Sequence, residues 1–475
     1  MEIVHIAAEC FPVAKAGGLG DVVGALPKCQ ANLGHVAKVV IPMYRVKFLY
    51  ANDWELVHEG SQQMGPFYFR YSVIKEKTGK LGFDCYLVDI NGLLDREKIY
   101  GYDDDTERFV AFQIAVCDWL NNWQHRPDVI HCHDHHTGLI PFMIRYCYQF
   151  REKLAEIPTV FTVHNAQYQG WMSWDKYHYL PVFDSWKGGL LDWDNTINPL
   201  ASAVKCAWKV TTVSPSYMEE IRGNANGLEK LFSAEQQKST GILNGIDTQV
   251  WDPHRDSYII RNYDQHEVEK GKRKNKKELA GRFGLDPHKP LVSFIGRLVG
   301  EKSADLLPEA ISQSIYRHHG QANFLVLGSG DPNLEDRLDT MKQQLKGFYN
   351  SFIGYDEGLS HLIYAGSDFL LMPSRVEPCG LNQMYALRYG TVPMVRSVGG
   401  LKDTVKDIGE WQGFGIRFDQ ASVNDITYSV GRAIDLYQNK PDLYEWMKKY
   451  MMTIDHSWNG SAQQYIDIYQ SLIID

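Results

Sequence analysis

The chain has no Cys-x-x-Cys pair, no apolar run long enough to cross a bilayer, no low-complexity tract and no excess of positive charge. Each absence removes a class of protein. Eight cysteines are scattered at 10, 29, 85, 117, 132, 147, 206 and 379, the free-thiol usage of a reducing compartment rather than a disulfide framework. A membrane span needs about 18 consecutive apolar residues, so none is expected. The opening Met1-Glu2-Ile3-Val4-His5 has neither a basic lead nor a long apolar stretch, so no secretory signal is expected and the location reads as cytoplasmic. A formal charge of −9 speaks against a nucleic-acid partner, although a local site can still be basic. What remains is a soluble enzyme or binding protein. Its 475 residues fit two or three domains, each with a full core. Twelve Trp and 27 Tyr are ample platforms for sugar rings and equally suit a large core.

Short apolar runs alternate with helix-length amphipathic segments along the whole chain. Expected strands in the first half are Ile3–Ala8, Ala37–Pro42, Phe83–Val88, Val129–His133, Thr159–His164 and Lys209–Val213. In the second half they are Leu291–Ile295, Asn323–Leu327, Ser351–Ile353, Phe369–Met372 and Thr391–Val395. Val- and Ile-rich strands separated by helices indicate buried parallel sheets, an α/β class, and the pattern occurs twice. Asn244-Gly245 is a turn signal and Asp252-Pro253 disfavours helix before the proline, which places an interdomain crossing near residues 241–253. Six basic residues between Lys270 and Lys277 read as the solvated face of a helix. Open parallel sheets bind ligands beyond the carboxyl ends of their strands, and the unusual residue clusters of this chain follow expected strands.

The first cluster is Lys15-Ala16-Gly17-Gly18-Leu19-Gly20-Asp21-Val22, between the opening strand and a helix-like run from Asp21 to Leu33. Strand, glycine turn and helix N-terminus can hold a phosphate or sugar against bare amides; a tight packing turn is the plain alternative. It is not a dinucleotide fingerprint: Val23 stands where the third small residue belongs, and no acid ends a second strand about 20 residues on. The second cluster is His131-Cys132-His133-Asp134-His135-His136-Thr137-Gly138. Strand alternation puts His131 and His133 on one face and Cys132 on the other. Metal sites draw ligands from separated segments, so a polar strand end that binds sugar is favoured over a metal, with a structural role the remaining option.

Four further features are weaker. Asp103-Asp104-Asp105 precedes the helix-like Thr106–Leu120, where acids suit the positive helix end better than a metal motif. Tyr100 just upstream is an exposed aromatic candidate for sugar contact. His164-Asn165 ends a strand and suggests hydroxyl recognition. Arg297 and Lys302, five apart on a loop, can both reach a diphosphate, one as a fork and one as a point charge. Last, Pro373-Ser374-Arg375-Val376-Glu377-Pro378-Cys379-Gly380-Leu381 leads into the helix-like Gln383–Arg388, a loop fit to offer amides to phosphate, with Glu377 able to accept from sugar hydroxyls. Cys379 lacks the nearby partners of a nucleophile.

Taken together these residues resemble the bacterial glycogen synthase and plant starch synthase family. The opening loop matches that family's Lys-x-Gly-Gly-Leu-Gly-Asp-Val. So do His133-Asp134-x-His136-Thr137-Gly138, Val163-His164-Asn165, Thr211-Thr212-Val213-Ser214-Pro215 and Asn244-Gly245-Ile246-Asp247. Gly296-Arg297-Leu298 with Lys302, Glu377-Pro378-Cys379-Gly380-Leu381-x-Gln383, Gly399-Gly400-Leu401-x-Asp403-Thr404-Val405 and Ser457-Trp458-x-x-Ser461-Ala462 complete an ordered set spanning the chain.

The resemblance implies a GT-B fold: two Rossmann-like domains, residues 1–243 and 244–456, facing across a deep cleft, with a helix in 457–475 (about Ser461–Ile473) crossing back to the first domain. It implies a retaining transferase that moves glucose from a nucleotide sugar, in bacteria usually ADP-glucose, to the nonreducing 4-hydroxyl of an α-1,4-glucan. By that resemblance Arg297, Lys302, Glu377, His164 and Asp134 are the expected catalytic set. Lys15, Gly17, Gly18, Asp21, Tyr355, Cys379, Gly380 and Leu381 are expected to bind the donor, and Tyr100 and Asn244 the acceptor. No metal or other cofactor is expected, because two cations can neutralise the diphosphate. The chain departs from the pattern at His135, where the family has Trp, at Ser303-Ala304, where Gly-Leu follows the lysine, and at Ala166-Gln167, where Leu-Ala is commoner. Tyr385 stands where the broader class has a second Glu, an absence ordinary in the synthase branch. A related enzyme using UDP-glucose or a different acceptor, a silent glucan-binding homologue and an epimerase of the same shape are the alternatives.

Overall fold

The computed structural model describes residues 1–473 and divides into two compact units. One comprises Met1–Gly245 together with the chain from Trp458 onward; the other is Ile246–Ser457. The junctions lie two residues and one residue beyond the expected 243/244 and 456/457.

The first unit is built on a nine-stranded sheet. From one edge its strands are Ser239–Gly241, Lys209–Thr212, Thr159–Val163, Val129–His133, Glu2–Ile6, Val36–Pro42, Asp84–Asp89, Phe67–Glu76 and Trp54–Met64. The pairs are parallel as far as Asp84–Asp89, and the last two strands are antiparallel. Helix Gly18–Asn32 and the C-terminal helix Trp458–Ile473 cover one face. There Val22, Leu26, Trp458, Ala462, Tyr465 and Tyr469 pack on Ile3, Val129 and Val160. The expected return of the last helix to the first domain is thus a packing fact: at about 25 cal/mol per Å² of apolar surface, three buried aromatic rings anchor it strongly.

The second unit has six parallel strands in the order Tyr349–Ile353, Asn323–Gly330, Leu291–Leu298, Phe369–Met372, Val392–Arg396, Ile416–Phe418. Successive residues of one strand serve opposite faces: Val292 and Phe294 join one core, Leu291 the other. That burial on both faces is why these strands read as continuous apolar runs.

Several expectations need correction. The antiparallel hairpin Trp54–Met64 and Phe67–Glu76 is absent from the sequence reading, because its outer strand is half-exposed and polar (Glu55, His58, Gln62, Gln63) and shows no apolar run. The basic stretch is on helix Val268–Phe283, but it is not wholly solvated. Lys272 is buried and donates to the carbonyls of Tyr364, Ala365 and Tyr389 and to Thr391 Oγ1, while Lys276 is buried against Asp368 at 2.7 Å. The triple aspartate does open a helix, Asp105–Asn121, where Asp104 pairs with Arg96 and Asp105 with Arg108.

Candidate functional site

Strand order locates the site before any side chain is considered. In the first sheet the chain moves outward one way from Glu2–Ile6 and the other way from Val129–His133, and these two strands are neighbours. In the second sheet the same reversal falls between Leu291–Leu298 and Phe369–Met372. Loops leaving adjacent strands in opposite directions open a crevice at their carboxyl ends. Residues 7–17 and 134–138 lie at the first switch point, residues 299–303 and 373–381 at the second.

At the first switch point Glu9 organises the glycine loop. Its buried carboxylate accepts from Ala16 N at 2.6 Å, Gly17 N at 2.9 Å and Tyr100 OH at 2.6 Å. Two expected roles change as a result. The Gly17 amide is already engaged, and Tyr100 is not an exposed platform: it is half-buried and its ring stacks on His136 at 4.8 Å. Helix Gly18–Asn32 begins three residues earlier than expected. Gly18 is exposed, and Lys15, also exposed, pairs with Asp21 at 2.7 Å. Sequence reading passed over Glu9, although an acid directly after a buried strand was the available signal.

Behind the loop lies a stack of imidazoles. His131 and His133 share one strand face, with ring centres 4.2 Å apart, and His5 lies over both at 4.8 and 5.3 Å. Their nitrogens are satisfied internally. His5 bonds Gln30 and His133, His133 bonds His164, and His131 bonds Tyr469 and Thr162. The nitrogens of His5, His131 and His133 come within 4.8 Å of one another, yet each hydrogen bond holds a nitrogen that a metal would require. Burial keeps the rings neutral: it pulls His5 down to about 4 and His164 to about 3, and holds His131 and His133 well below the usual histidine range.

Asp134 follows this strand in a backbone conformation rare for a non-glycine, φ 59° and ψ 177°. Strain of this kind is held only where surroundings over-determine it. Here its carboxylate accepts from the His164 amide at 2.7 Å, so it ties the end of one strand to the next. Burial pushes its carboxyl up to about 7, against the lowering effect of the His164 and Asn165 amides. Asn244 is buried, and its side-chain oxygen has no hydrogen-bond partner among the described residues.

The second switch point carries charge. Lys302 Nζ contacts both oxygens of Glu377, at 2.7 and 2.6 Å, and Ser374 Oγ donates to the same carboxylate at 2.8 Å. The Glu377 side chain is 6% exposed, so losing Lys302 would strand a nearly buried charge, a loss of about 3–5 kcal/mol for buried pairs generally. Arg297 lies inside the strand, one residue before its end, instead of following it. Its side chain is 57% exposed, and its one ion pair among the described residues is a long 3.8 Å contact to Glu301. Gly380 has φ 74°, and a Cβ on Gly399 would stand 1.9 Å from the Glu377 carbonyl, so this loop needs glycine at both points. Cys379 is buried and Leu381 half-buried at the loop's end, and Tyr355 is exposed after strand Tyr349–Ile353. Ser303 takes the left-handed conformation, φ 54°, and is buried, its hydroxyl without a hydrogen-bond partner among the described residues. Glycine, which the family resemblance puts after this lysine, takes that conformation without a Cβ penalty.

Known proteins resemble this chain over its whole length. The family model of the starch synthase catalytic domain matches residues 2–234, and that of the group 1 glycosyl transferases matches residues 275–450. A glycogen synthase of Flavobacterium johnsoniae is 54% identical over 473 residues, covering 100% of this chain and 99% of its own. One from Streptococcus pneumoniae is 37% identical and covered in full on both sides. Among solved structures, the catalytic domain of starch synthase IV from Arabidopsis thaliana, bound to ADP and acarbose, superposes with a TM-score of 0.90 at 32% identity over 99% of each chain. A sucrose-phosphate synthase from Thermosynechococcus elongatus shares the fold alone, at a TM-score of 0.62 and 16% identity. This chain belongs to the glycogen synthase and starch synthase family, hexosyltransferases of the GT-B fold.

Proposed function

We propose that the chain transfers glucose from ADP-glucose to the nonreducing 4-hydroxyl of an α-1,4-glucan, with retention at the anomeric carbon. The observation that carries this reading is the Lys302–Glu377 pair beside exposed Arg297 at the second switch point. Arg297 and Lys302 meet the diphosphate as it leaves, where negative charge develops and fixed donors count most. Glu377 orders Lys302 and accepts from hydroxyls of the donor sugar. Amides of the 379–381 loop and of Gly18 add donors, and Lys15, steadied by Asp21, lies near the phosphates. Tyr355 stacks on the base. His164 stands beside the glucose, with Asp134 holding its backbone, and Asn244 lines the acceptor side.

The acceptor 4-hydroxyl oxygen bonds to C1 on the face from which ADP departs. The bond from C1 to the phosphate oxygen breaks, and the hydroxyl proton passes to that phosphate. The two cations supply the neutralisation, so no metal is required in this scheme. ADP in the Arabidopsis structure supports an adenine nucleotide. Eight free, buried cysteines fit a reducing cytoplasm, and no described helix is long and apolar enough to cross a membrane.

A donor panel with glycogen tests the reading. ADP-glucose should outperform UDP-glucose at least about tenfold in kcat/KM, roughly 1.4 kcal/mol, and a chelator should leave the rate unchanged. Preference for UDP-glucose would overturn the donor assignment, and loss of rate with chelator would overturn the metal-free scheme.

A further inference from the structure

Three histidines stand in single file from the core to the candidate site. His5 Nε2 meets Gln30 Oε1 at 2.7 Å, His5 Nδ1 meets His133 Nε2 at 3.0 Å, and His133 Nδ1 meets His164 Nε2 at 3.0 Å. A neutral imidazole has one donor nitrogen and one acceptor nitrogen. Each ring therefore dictates the tautomer of the next. Gln30 Oε1 is an acceptor, so His5 carries its proton on Nε2 and accepts on Nδ1. His133 must then donate from Nε2 and accept on Nδ1. His164 in turn must donate from Nε2, which leaves its Nδ1 a lone pair at the half-buried end of the file.

Gln30 is itself held in place. Its Nε2 donates to Tyr469 OH at 3.2 Å, and that hydroxyl meets His131 Nδ1 at 2.6 Å. His131 Nε2 meets Thr162 Oγ1, also at 2.6 Å, and Thr162 meets Thr211. With Tyr469 donating to His131, every one of these groups has a partner of the right kind. The C-terminal helix, which carries Tyr469, thus sets the orientation of the amide that starts the file.

We infer that Gln30, His5 and His133 are positioning residues that hold His164 as the Nε2–H tautomer, so that its Nδ1 faces the sugar as a hydrogen-bond acceptor. The inference rests on the placement of His164 beside the donor glucose. An Nδ1 lone pair binds the hydrogen of a sugar hydroxyl; the other tautomer would present an N–H at that point and require the hydroxyl to turn. The effect belongs to orientation, where small misplacements lower turnover more than binding.

The test uses full-length protein labelled with ¹⁵N at histidine, together with steady-state kinetics on ADP-glucose and glycogen. His133→Phe keeps an aromatic ring in the stack but offers His164 no acceptor. Gln30→Met cuts the file at its far end with little change of volume. In the unsubstituted protein His164 should show a protonated Nε2 and an unprotonated Nδ1. In each variant that folds, His164 should show mixed tautomers, kcat should fall about tenfold and the donor KM should change less than about threefold. The inference is overturned by a mixed or Nδ1–H signal from His164 in the unsubstituted protein, which needs no variant to fold. It is also overturned by an unchanged tautomer in the variants, or by altered tautomers with kcat unaffected. A His164→Ala enzyme of undiminished rate would instead refute the placement of His164 and leave the tautomer result standing.

Discussion

The two switch points occupy the same position in their sheets and solve their problems with opposite electrostatics. The first unit works with buried groups bonded to one another: a neutral histidine file, a raised Asp134 and a Glu9 carboxylate spent on local amides and a hydroxyl. The second works with ions at the edge of solvent, Arg297 and the Lys302–Glu377 pair. Their histidines differ in the same sense. His5, His131, His133 and His164 are pulled down by burial, as is His456 in the second unit, whereas at His361 the pull of burial is overcome by Asp256 and Glu357 and its affinity for protons is raised. The lesson is that topology chooses where a site lies, and local burial decides whether charge or hydrogen bonding does its work there.

Acid should break the comparison most forcefully. A histidine with a lowered folded-state pKa binds protons more tightly when unfolded. Its stabilising effect is therefore full above about 6.5 and is lost as pH falls toward the folded value. For His5 that window runs from about 6.5 to about 4, at about 1.4 kcal/mol per pH unit crossed. Asp134 acts in the other direction, because a raised carboxyl favours the folded state as pH drops from about 7 toward 4, but it and Asp89 stand against seven histidines held down by burial. His361 also opposes, since its contribution is full at low pH and fades as pH rises through its raised value. Hydrogen exchange at pH 7 and pH 4.5 should show the first unit losing more protection than the second, where His456, also lowered to about 4, acts against His361. Equal behaviour of the two would erase the contrast.

The next largest effect concerns the charged half. Lys302→Ala or Glu377→Ala should lower kcat at least about a hundredfold, roughly 2.7 kcal/mol of barrier. Steady-state rates with glycogen check this, and a change below threefold at both positions would remove the ions from the mechanism. Glu9→Ala sharpens the neutral half. It leaves two amides and the Tyr100 hydroxyl without their acceptor and should destabilise the first unit by about 2 kcal/mol, seen as a lower urea midpoint. An unshifted midpoint would show that the loop does not depend on that carboxylate. The smallest effect has the opposite sign. Ser303→Gly removes a left-handed serine and its unpartnered hydroxyl and should stabilise the second unit by about 1 kcal/mol in the same assay.

How much of this was legible depended on the kind of residue. Val129–His133 and Phe369–Met372 match their expected bounds because strands buried on both faces leave uninterrupted apolar runs. The hairpin Trp54–Met64 and Phe67–Glu76 escaped because its outer strand is mostly polar and exposed. In the basic stretch, Lys272 and Lys276 look like their exposed neighbours, and only the position of helix Val268–Phe283 against the sheet shows which lysines turn inward. The charged site residues stood out because Arg297 lies near the end of an apolar strand and Lys302 and Glu377 sit just after such strands. His133, Asp134 and His164 stood out in the same way, at strand ends, but His5 and Gln30 did not, since they lie inside ordinary elements.

By itself the sequence determined the paired α/β architecture, the family, and which loops carry cations, glycines and the acid of the site. Those properties follow from local periodicity and from motifs that are contiguous in the chain. Only the tertiary structure decided that Glu9 occupies the Gly17 amide, that Tyr100 is half-buried against His136, and that Lys302 faces Glu377 across 75 positions of sequence. It also decided that Tyr469, 439 positions from Gln30, sets the sense of the histidine file. Each of these is a contact between distant segments, and its strength depends on how much water the packing excludes, which no local pattern records.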